Sequence, residues 1–201
     1  GDVTNYLNSY LSKARTNGKT ILVTDYCFSL EKIANSYNQN NSNNYVSFAA
    51  NSRELDRIPF FPKEPYKIND SPIADLSQIK NFLYIINTEL YSSKEEFIDS
   101  VSATNYDLII LDLFFKDGKN FSVGEIAELK AKPGGARRLV VCYLSVGEAE
   151  NYRYYWQPDW DSINPEWMEE ENPYWPGNYG VKYWIPEWQN IIYSNDSSYA
   201  K

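Results

Sequence analysis

The chain has 201 residues, of which 43% are hydrophobic, and this is enough for one domain with a hydrophobic core. Its formal net charge of −8 argues against binding to nucleic-acid phosphates, which requires clustered Lys and Arg. The chain contains no histidine, which excludes Ser-His-Asp, Cys-His and His-containing zinc sites. Any acid–base chemistry must therefore come from Asp, Glu, Tyr or Lys.

Hydrophobic periodicity predicts alternating helices and strands along most of the chain. Apolar spacing and capping residues predict helices over 2–17, 30–38, 93–101, 122–132 and 186–193. Short apolar runs predict buried strands over 19–26, 45–50, 81–87, 106–115 and 138–144. This order of strand, helix and strand is typical of βα units in a parallel sheet, so the fold class is α/β.

A proline-rich stretch interrupts this alternation. Residues 59–80 contain Pro59, Pro62, Pro65 and Pro72, which break regular elements and predict an extended linker. We place the organisational boundary there, with βα units over 1–58 and further βα units over 81–201.

Several simple features limit the other possibilities. Cys27 and Cys142 end apolar runs, which predicts two buried free thiols rather than a disulfide framework. The one basic spot is too small for a nucleic-acid site, and it consists of Lys130, Lys132, Arg137 and Arg138. No calcium-loop spacing or Cys/His cluster is present, so we expect no metal and no cofactor.

Composition also bears on the location of the protein. No apolar run approaches the ~20 residues that span a bilayer, and no signal peptide is visible. The many tyrosines, asparagines and serines are more typical of a secreted or cell-envelope carbohydrate-active protein than of a cytosolic one.

Acidic residues lie at the ends of three predicted strands. Asp25, Asp112 and the pair Glu148 and Glu150 occupy these ends, where parallel strands place active-site groups on one edge. Two carboxylates suit glycoside hydrolysis, because one protonates the leaving oxygen while the other attacks the anomeric carbon or activates water. Asp107 precedes the apolar part of its strand and is predicted to be structural.

Each acid also has a structural interpretation. Asp25 is placed to cap the following helix, and Asp112 to pair with a lysine or cap a loop. Glu148 and Glu150 fit the first turn of a short helix, and Arg153 is placed to pair with one of them.

All the tryptophans lie within residues 154–188, together with many tyrosines. Their flat faces suit a sugar-binding cleft, and the alternative is a hydrophobic cap over the end of the sheet. The stretch from Trp175 to Tyr179 predicts a tight aromatic turn.

Three stretches carry a resemblance to a known family: YLSVGEAENYRYYW, ENPYWPGNYGVKYW and PEWQNIIY. They resemble glycoside hydrolase family 114, a group of endo-α-1,4-polygalactosaminidase-like (β/α)8 TIM barrels of which some were once described as related to cysteinyl-tRNA synthetase. The stretch NYDLIILDLFFKDG, which carries Asp112, resembles an early strand of that barrel. The resemblance implies a TIM-barrel-like fold.

The resemblance also implies an incomplete or permuted barrel. Residues 81–201 are similar to the first third to half of a barrel, and residues 1–58 contain units similar to its last strands. Family members continue into a strand resembling Gly-Phe-Asp-Gly-Val-Tyr-Leu-Asp, and a complete barrel needs ~250 residues. An incomplete barrel exposes strand edges, which favours a homo-oligomer.

The implied activity is cleavage of a galactosamine-rich or related polysaccharide by paired carboxylates. The resemblance marks Glu148 as the motif acid, and we predict Asp112 as its catalytic partner. The predicted substrate-binding residues are Asp25, Tyr143, Glu150, Tyr152, Arg153, Trp175, Tyr179 and Trp184. The alternative is a non-catalytic carbohydrate-binding or structural module derived from such a barrel.

Overall fold

The computed structural model describes residues 2–200 and divides into two compact units, Gly1–Tyr143 and Leu144–Lys201. The helices are α1 (Asp2–Thr16), α2 (Leu30–Ser42), α3 (Lys94–Ser102), α4 (Val123–Leu129) and α5 (Pro186–Ile192). The strands are β1 (Leu22–Tyr26), β2 (Val46–Ala50), β3 (Phe82–Tyr84), β4 (Leu108–Asp112), β5 (Leu139–Tyr143), β6 (Glu148–Glu150), β7 (Met168–Glu171) and β8 (Asn178–Val181). Short 3-10 helices span Leu76–Gln78 and Pro158–Asp161.

The first unit is a mixed α/β structure with parallel strands. Strands β1 and β2 form one parallel sheet, and β3, β4 and β5 form another in that order. The order of strands within each sheet thus follows the chain, as it does in α/β barrels, and no strand is skipped. The predicted parallel βα units are confirmed, and within residues 2–200 they form two open sheets.

The core of the first unit lies on both faces of β3 and β4. Phe82, Leu83, Leu108 and Ile109 are all at most 1% exposed, so β3 and β4 bury both their faces. Strands covered on both sides read as continuous apolar runs, which explains their clear sequence signal. The ring centroids of Phe48 on β2 and Phe82 on β3 lie 5.7 Å apart.

The proline-rich segment also contributes to this core. Within residues 59–80 the regular structure is the 3-10 helix Leu76–Gln78, and Ile73 and Ile79 are buried in the core of the first unit. The assignment of 1–58 and 81–201 to the end and the start of a barrel stays a prediction.

The edges of the two sheets are more exposed than predicted. Strands β1 and β5 were expected to be buried, but Tyr26 is 50% and Val141 43% exposed. No strand within residues 2–200 pairs with their outer edges, whereas β2 and β3 pack against each other. The predicted burial of Cys142 is wrong for the same reason, since its thiol is exposed. Cys27 is a buried free thiol, as predicted.

Two helices have different limits from those predicted. Helix α2 begins at Leu30, as predicted, with Ser29 as its N-cap, but it continues to Ser42, beyond the predicted end at residue 38. Helix α4 ends at Leu129 rather than at residue 132, and the apolar Val123 is 90% exposed. Ser122 caps α4 and so places Val123 in the first turn.

The predicted basic spot is not a surface patch. Lys132 and Arg138 are buried, at 4% and 2% exposure. The Arg138 guanidinium donates to the carbonyl oxygens of Ser102, Thr104 and Ala131, which lie at or beyond the C-terminal ends of α3 and α4. These contacts satisfy carbonyl groups that the helices leave unpaired.

The second unit contains an antiparallel sheet with the order β6, β8, β7. Its core is aromatic: Trp167, Trp188 and Tyr155 are buried, and Trp156 and Trp160 pack against them. These tryptophans therefore fill the hydrophobic core of the second unit. Helix α5 begins at Pro186, as predicted.

None of the helices within residues 2–200 combines the length and the apolar character needed to cross a membrane.

Candidate carboxylate sites

In the first unit, Asp112 lies beside Tyr143 at the C-terminal ends of β4 and β5. The two residues are in register, so their side chains project from the same face of the parallel sheet. Asp112 is 8% exposed, and its Oδ1 accepts a hydrogen bond from the backbone N–H of Phe114 at 2.9 Å. The loop-capping interpretation of Asp112 is thus observed.

Tyrosines surround this strand end. Tyr84, the last residue of β3, lies with its ring centroid 6.4 Å from that of Tyr143. Burial raises the pKa of the Tyr84 phenol, and the neighbouring phenols of Tyr143 and Tyr26 raise it further. Sequence reasoning missed Tyr84 and Tyr26, although each is the aromatic residue that ends its strand.

Asp25 is directed toward a helix. Its Oδ2 accepts hydrogen bonds from Ser36 Oγ at 2.7 Å and Asn40 Nδ2 at 2.9 Å, and both donors belong to α2. The helix cap is made by Ser29, whose hydroxyl accepts from the backbone N–H of Lys32, so the capping interpretation of Asp25 is wrong. Contact of Asp25 with substrate stays a prediction, and these bonds favour a structural role.

In the second unit, Glu148 and Glu150 lie on strand β6 rather than in a loop or helical turn. Because they are two residues apart on a strand, both side chains project from one face. Ala149 between them is fully buried in the aromatic core, so the glutamates project from the opposite face. Sequence reasoning missed β6 because a three-residue strand has no recognisable period.

Both oxygens of Glu148 accept hydrogen bonds from side-chain amides. Asn172 Nδ2 lies 2.7 Å from Oε1, and Asn178 Nδ2 lies 3.3 Å from Oε2. Glu148 is only partly buried, so part of it also meets solvent. Neither asparagine was predicted, although Asn178 lies within the predicted aromatic turn and Asn172 lies three residues before it.

Glu150 is more deeply buried and fully paired. Arg153 Nε lies 2.6 Å from its Oε2, and the Tyr152 hydroxyl donates to its Oε1 at 2.8 Å. The predicted ion pair between Arg153 and one of the two glutamates is confirmed. Since the Glu150 and Arg153 side chains are only 6% and 7% exposed, the pair suits a supporting role beside Glu148.

The predicted aromatic residues differ in their surroundings. Tyr179 on β8 packs on Trp156, with ring centroids 5.1 Å apart. Trp184 is 60% exposed and lies edge-on to Tyr183 at 5.1 Å, while Trp175 is partly buried in the turn before β8. Trp184 and Tyr183 therefore offer the more accessible aromatic surface.

An α/β unit with a carboxylate at a strand end is an arrangement that many hydrolytic enzymes use. Residues 74–195 match the model of glycoside-hydrolase family GH114, a match that covers more than half of the chain. The chain belongs to this family, and the resemblance found in the sequence is confirmed.

Similar proteins come from several microorganisms. The chain is 36% identical over 154 residues to an uncharacterized protein of Methanocaldococcus jannaschii, which covers 75% of this chain and 42% of that protein. It is 39% identical over 94 residues to an uncharacterized protein of Thermotoga maritima, covering 47% of this chain and 28% of that one. An uncharacterized protein of Deinococcus radiodurans is 40% identical over 94 residues, 47% of this chain and 29% of its own. The chain thus spans less than half the length of these relatives.

Proposed function

We propose that this chain takes part in hydrolysing glycosidic bonds of a galactosamine-rich or related polysaccharide, with Glu148 and Asp112 as catalytic carboxylates. The family match over residues 74–195, which includes both acids, carries the proposal. The sequential parallel strands of the first unit support a TIM-barrel-like architecture for the whole protein. A secreted or cell-envelope location would bring such a protein to a polymeric substrate.

The chemistry follows from the available groups. The chain has no histidine, which leaves paired carboxylates as the leading option: a carboxylic acid protonates the leaving oxygen while a carboxylate attacks the anomeric carbon or activates water. Water then supplies the hydroxyl group of the new reducing end and the proton that restores the acid. A net charge of −8 favours attraction of a polycationic amino-sugar chain, because opposite charges raise the local concentration of substrate.

The substrate-binding roles extend this proposal. Exposed Trp184 offers a flat face for stacking against a sugar ring, and the partly buried Trp175 and Tyr179 lie in and after the turn that leads into β8. Tyr152 and Arg153 contribute to substrate binding indirectly, because their hydrogen bonds hold the carboxylate of Glu150 in place. Tyr143 lies beside Asp112, where a phenol can bond a sugar hydroxyl.

Release of reducing ends from polygalactosamine tests the proposal. We expect the 201-residue protein to release them, and Glu148→Gln and Asp112→Asn each to lower kcat by about 10²–10⁴-fold, the usual contribution of acid–base catalysis. Glu187→Gln is the matched control, because it removes an exposed glutamate of α5 and should leave the rate unchanged. Full activity of Glu148→Gln would remove Glu148 from the mechanism.

A second candidate is a carbohydrate-binding or structural module without turnover. It is favoured by one observation, namely that Trp184 and Tyr183 expose an aromatic surface, which can bind a sugar ring without any catalytic group. Calorimetric binding of polygalactosamine without any release of reducing ends would support this module and contradict the hydrolase.

A further inference from the structure

We propose that Asn172 and Asn178 are positioning residues that hold the carboxylate of Glu148 in its reactive orientation. The inference rests on the proposed function and adds two residues to it. Their side-chain amides lie 2.7 Å from Oε1 and 3.3 Å from Oε2, so that each carboxylate oxygen has its own donor. A rotation of the Glu148 carboxylate plane breaks both bonds at once.

The backbone of the β7–β8 turn fixes the two asparagines relative to each other. The N–H of Asn172 donates to the carbonyl of Asn178 at 2.7 Å, which closes the turn at its ends. Inside the turn, Trp175 N–H donates to the Asn172 carbonyl at 3.1 Å and Asn178 N–H to the Trp175 carbonyl at 3.0 Å. Gly177 has a φ of +88°, a conformation that favours glycine, so the sequence of this turn suits its geometry.

The orientation of the Asn172 amide is set from its other side. Its Oδ1 accepts the backbone N–H of Tyr174 at 3.0 Å, which requires the amide nitrogen to face Glu148. The donor at Oε1 is thus specified by the turn itself. Such support is what reacting groups need, because a displacement of about 1 Å costs on the order of 100-fold in rate.

These bonds are not required to satisfy buried groups. Glu148, Asn172 and Asn178 are all only partly buried, so that water can replace each partner. The neighbouring Glu150 and Arg153 are both below 10% exposed, and their bond is needed for stability. A partly solvated carboxylate with two fixed donors therefore indicates a role in orientation more than in folding.

The substitution Asn172→Asp tests the inference through kinetics. It replaces the amide donor by an acceptor and a like charge, and we expect kcat to fall by about 100-fold with little change in KM. Asn164→Asp makes the same change at an exposed position of the same unit and should leave kcat unchanged. An unchanged kcat for Asn172→Asp would overturn the inference.

A double-mutant cycle in Tm tests the contact without any activity. Asn172→Asp should lower Tm by about 2–4 °C, and adding Glu148→Gln should restore it, because the glutamine amide then donates to the new carboxylate. Losses in Tm that simply add would overturn the inference. If Tm is restored but the wild-type protein cleaves no polysaccharide, the proposed function fails while the Asn172–Glu148 contact stands.

Discussion

Lys132 Nζ lies 2.8 Å from Asp107 Oδ1, and both side chains are fully buried. The second oxygen of Asp107 accepts the backbone N–H of Lys80 at 2.7 Å and the Asn69 amide at 3.2 Å. Asp107, the residue before β4, therefore joins the proline-rich segment to the chain before β5. The prediction that Asp107 is structural is confirmed.

Removing the cation of this pair should strongly destabilise the folded protein. Lys132→Met leaves the Asp107 charge buried without its cation, and we expect a loss of about 3–5 kcal/mol in the free energy of unfolding. Urea denaturation measures it. Lys119→Met is the control, since the Lys119–Asp117 pair is exposed at 77% and 41% and such pairs contribute about 0–1 kcal/mol. Equal losses for the two variants would contradict this interpretation.

Arg138 should be irreplaceable by lysine. Arg138→Lys keeps the charge but cannot reach the three carbonyl oxygens of Ser102, Thr104 and Ala131 together, because an ammonium lacks the forked donors. We expect a loss of about 1–3 kcal/mol in unfolding free energy from the carbonyls left unpaired. The same change at exposed Arg137 should have almost no effect. Chemical denaturation of both variants measures this difference in unfolding free energy, and equal losses would contradict the prediction.

Tyr106 should make the protein sensitive to alkaline pH. Burial raises the pKa of its phenol above the ordinary value of 10.0. The folded state therefore holds this proton more tightly than the unfolded state, and its contribution to stability is full below pH 10 and declines as pH rises. Tyr106→Phe should reduce the fall of unfolding free energy above pH 10, by up to ~1.4 kcal/mol per pH unit. Parallel stability curves for variant and wild type would exclude this role.

The regular elements of the first unit could be predicted because their sequences carry clear local signals. The strands β3 and β4 are apolar on both faces, and Ser29 and Ser93 mark the starts of α2 and α3 by local capping. The exposure of Cys142 could not be predicted, since an edge strand and a central strand can share one sequence pattern. It is decided by which strand pairs with which.

The candidate site was only partly predictable. Glu148 stood out by its motif, but its donors Asn172 and Asn178 lie 24 and 30 residues away in the chain and meet it only through the pairing of β6 with β8. The extension of α2 through its asparagine-rich end was missed because Asn has low helix propensity, whereas Tyr37 and Asn40 are buried there. Tertiary contacts, which the local sequence does not show, decide both the partners of Glu148 and the end of α2.

Asp25 should affect stability more than hydrolysis. Asp25→Ala removes the acceptor for Ser36 and Asn40, and we expect a loss of about 1–3 kcal/mol in unfolding free energy. The kcat/KM of the folded fraction should stay at the wild-type value. A variant with wild-type stability but a raised KM would instead support direct contact of Asp25 with substrate.

The central claim is that Glu148 is a reacting carboxylate, and a defined galactosamine oligosaccharide tests it most directly. Calorimetry gives the Kd and product analysis gives the kcat for the wild-type protein and for Glu148→Gln. We predict an unchanged Kd and a kcat lower by about 10²–10⁴-fold. Equal kcat values for the two proteins would contradict the claim.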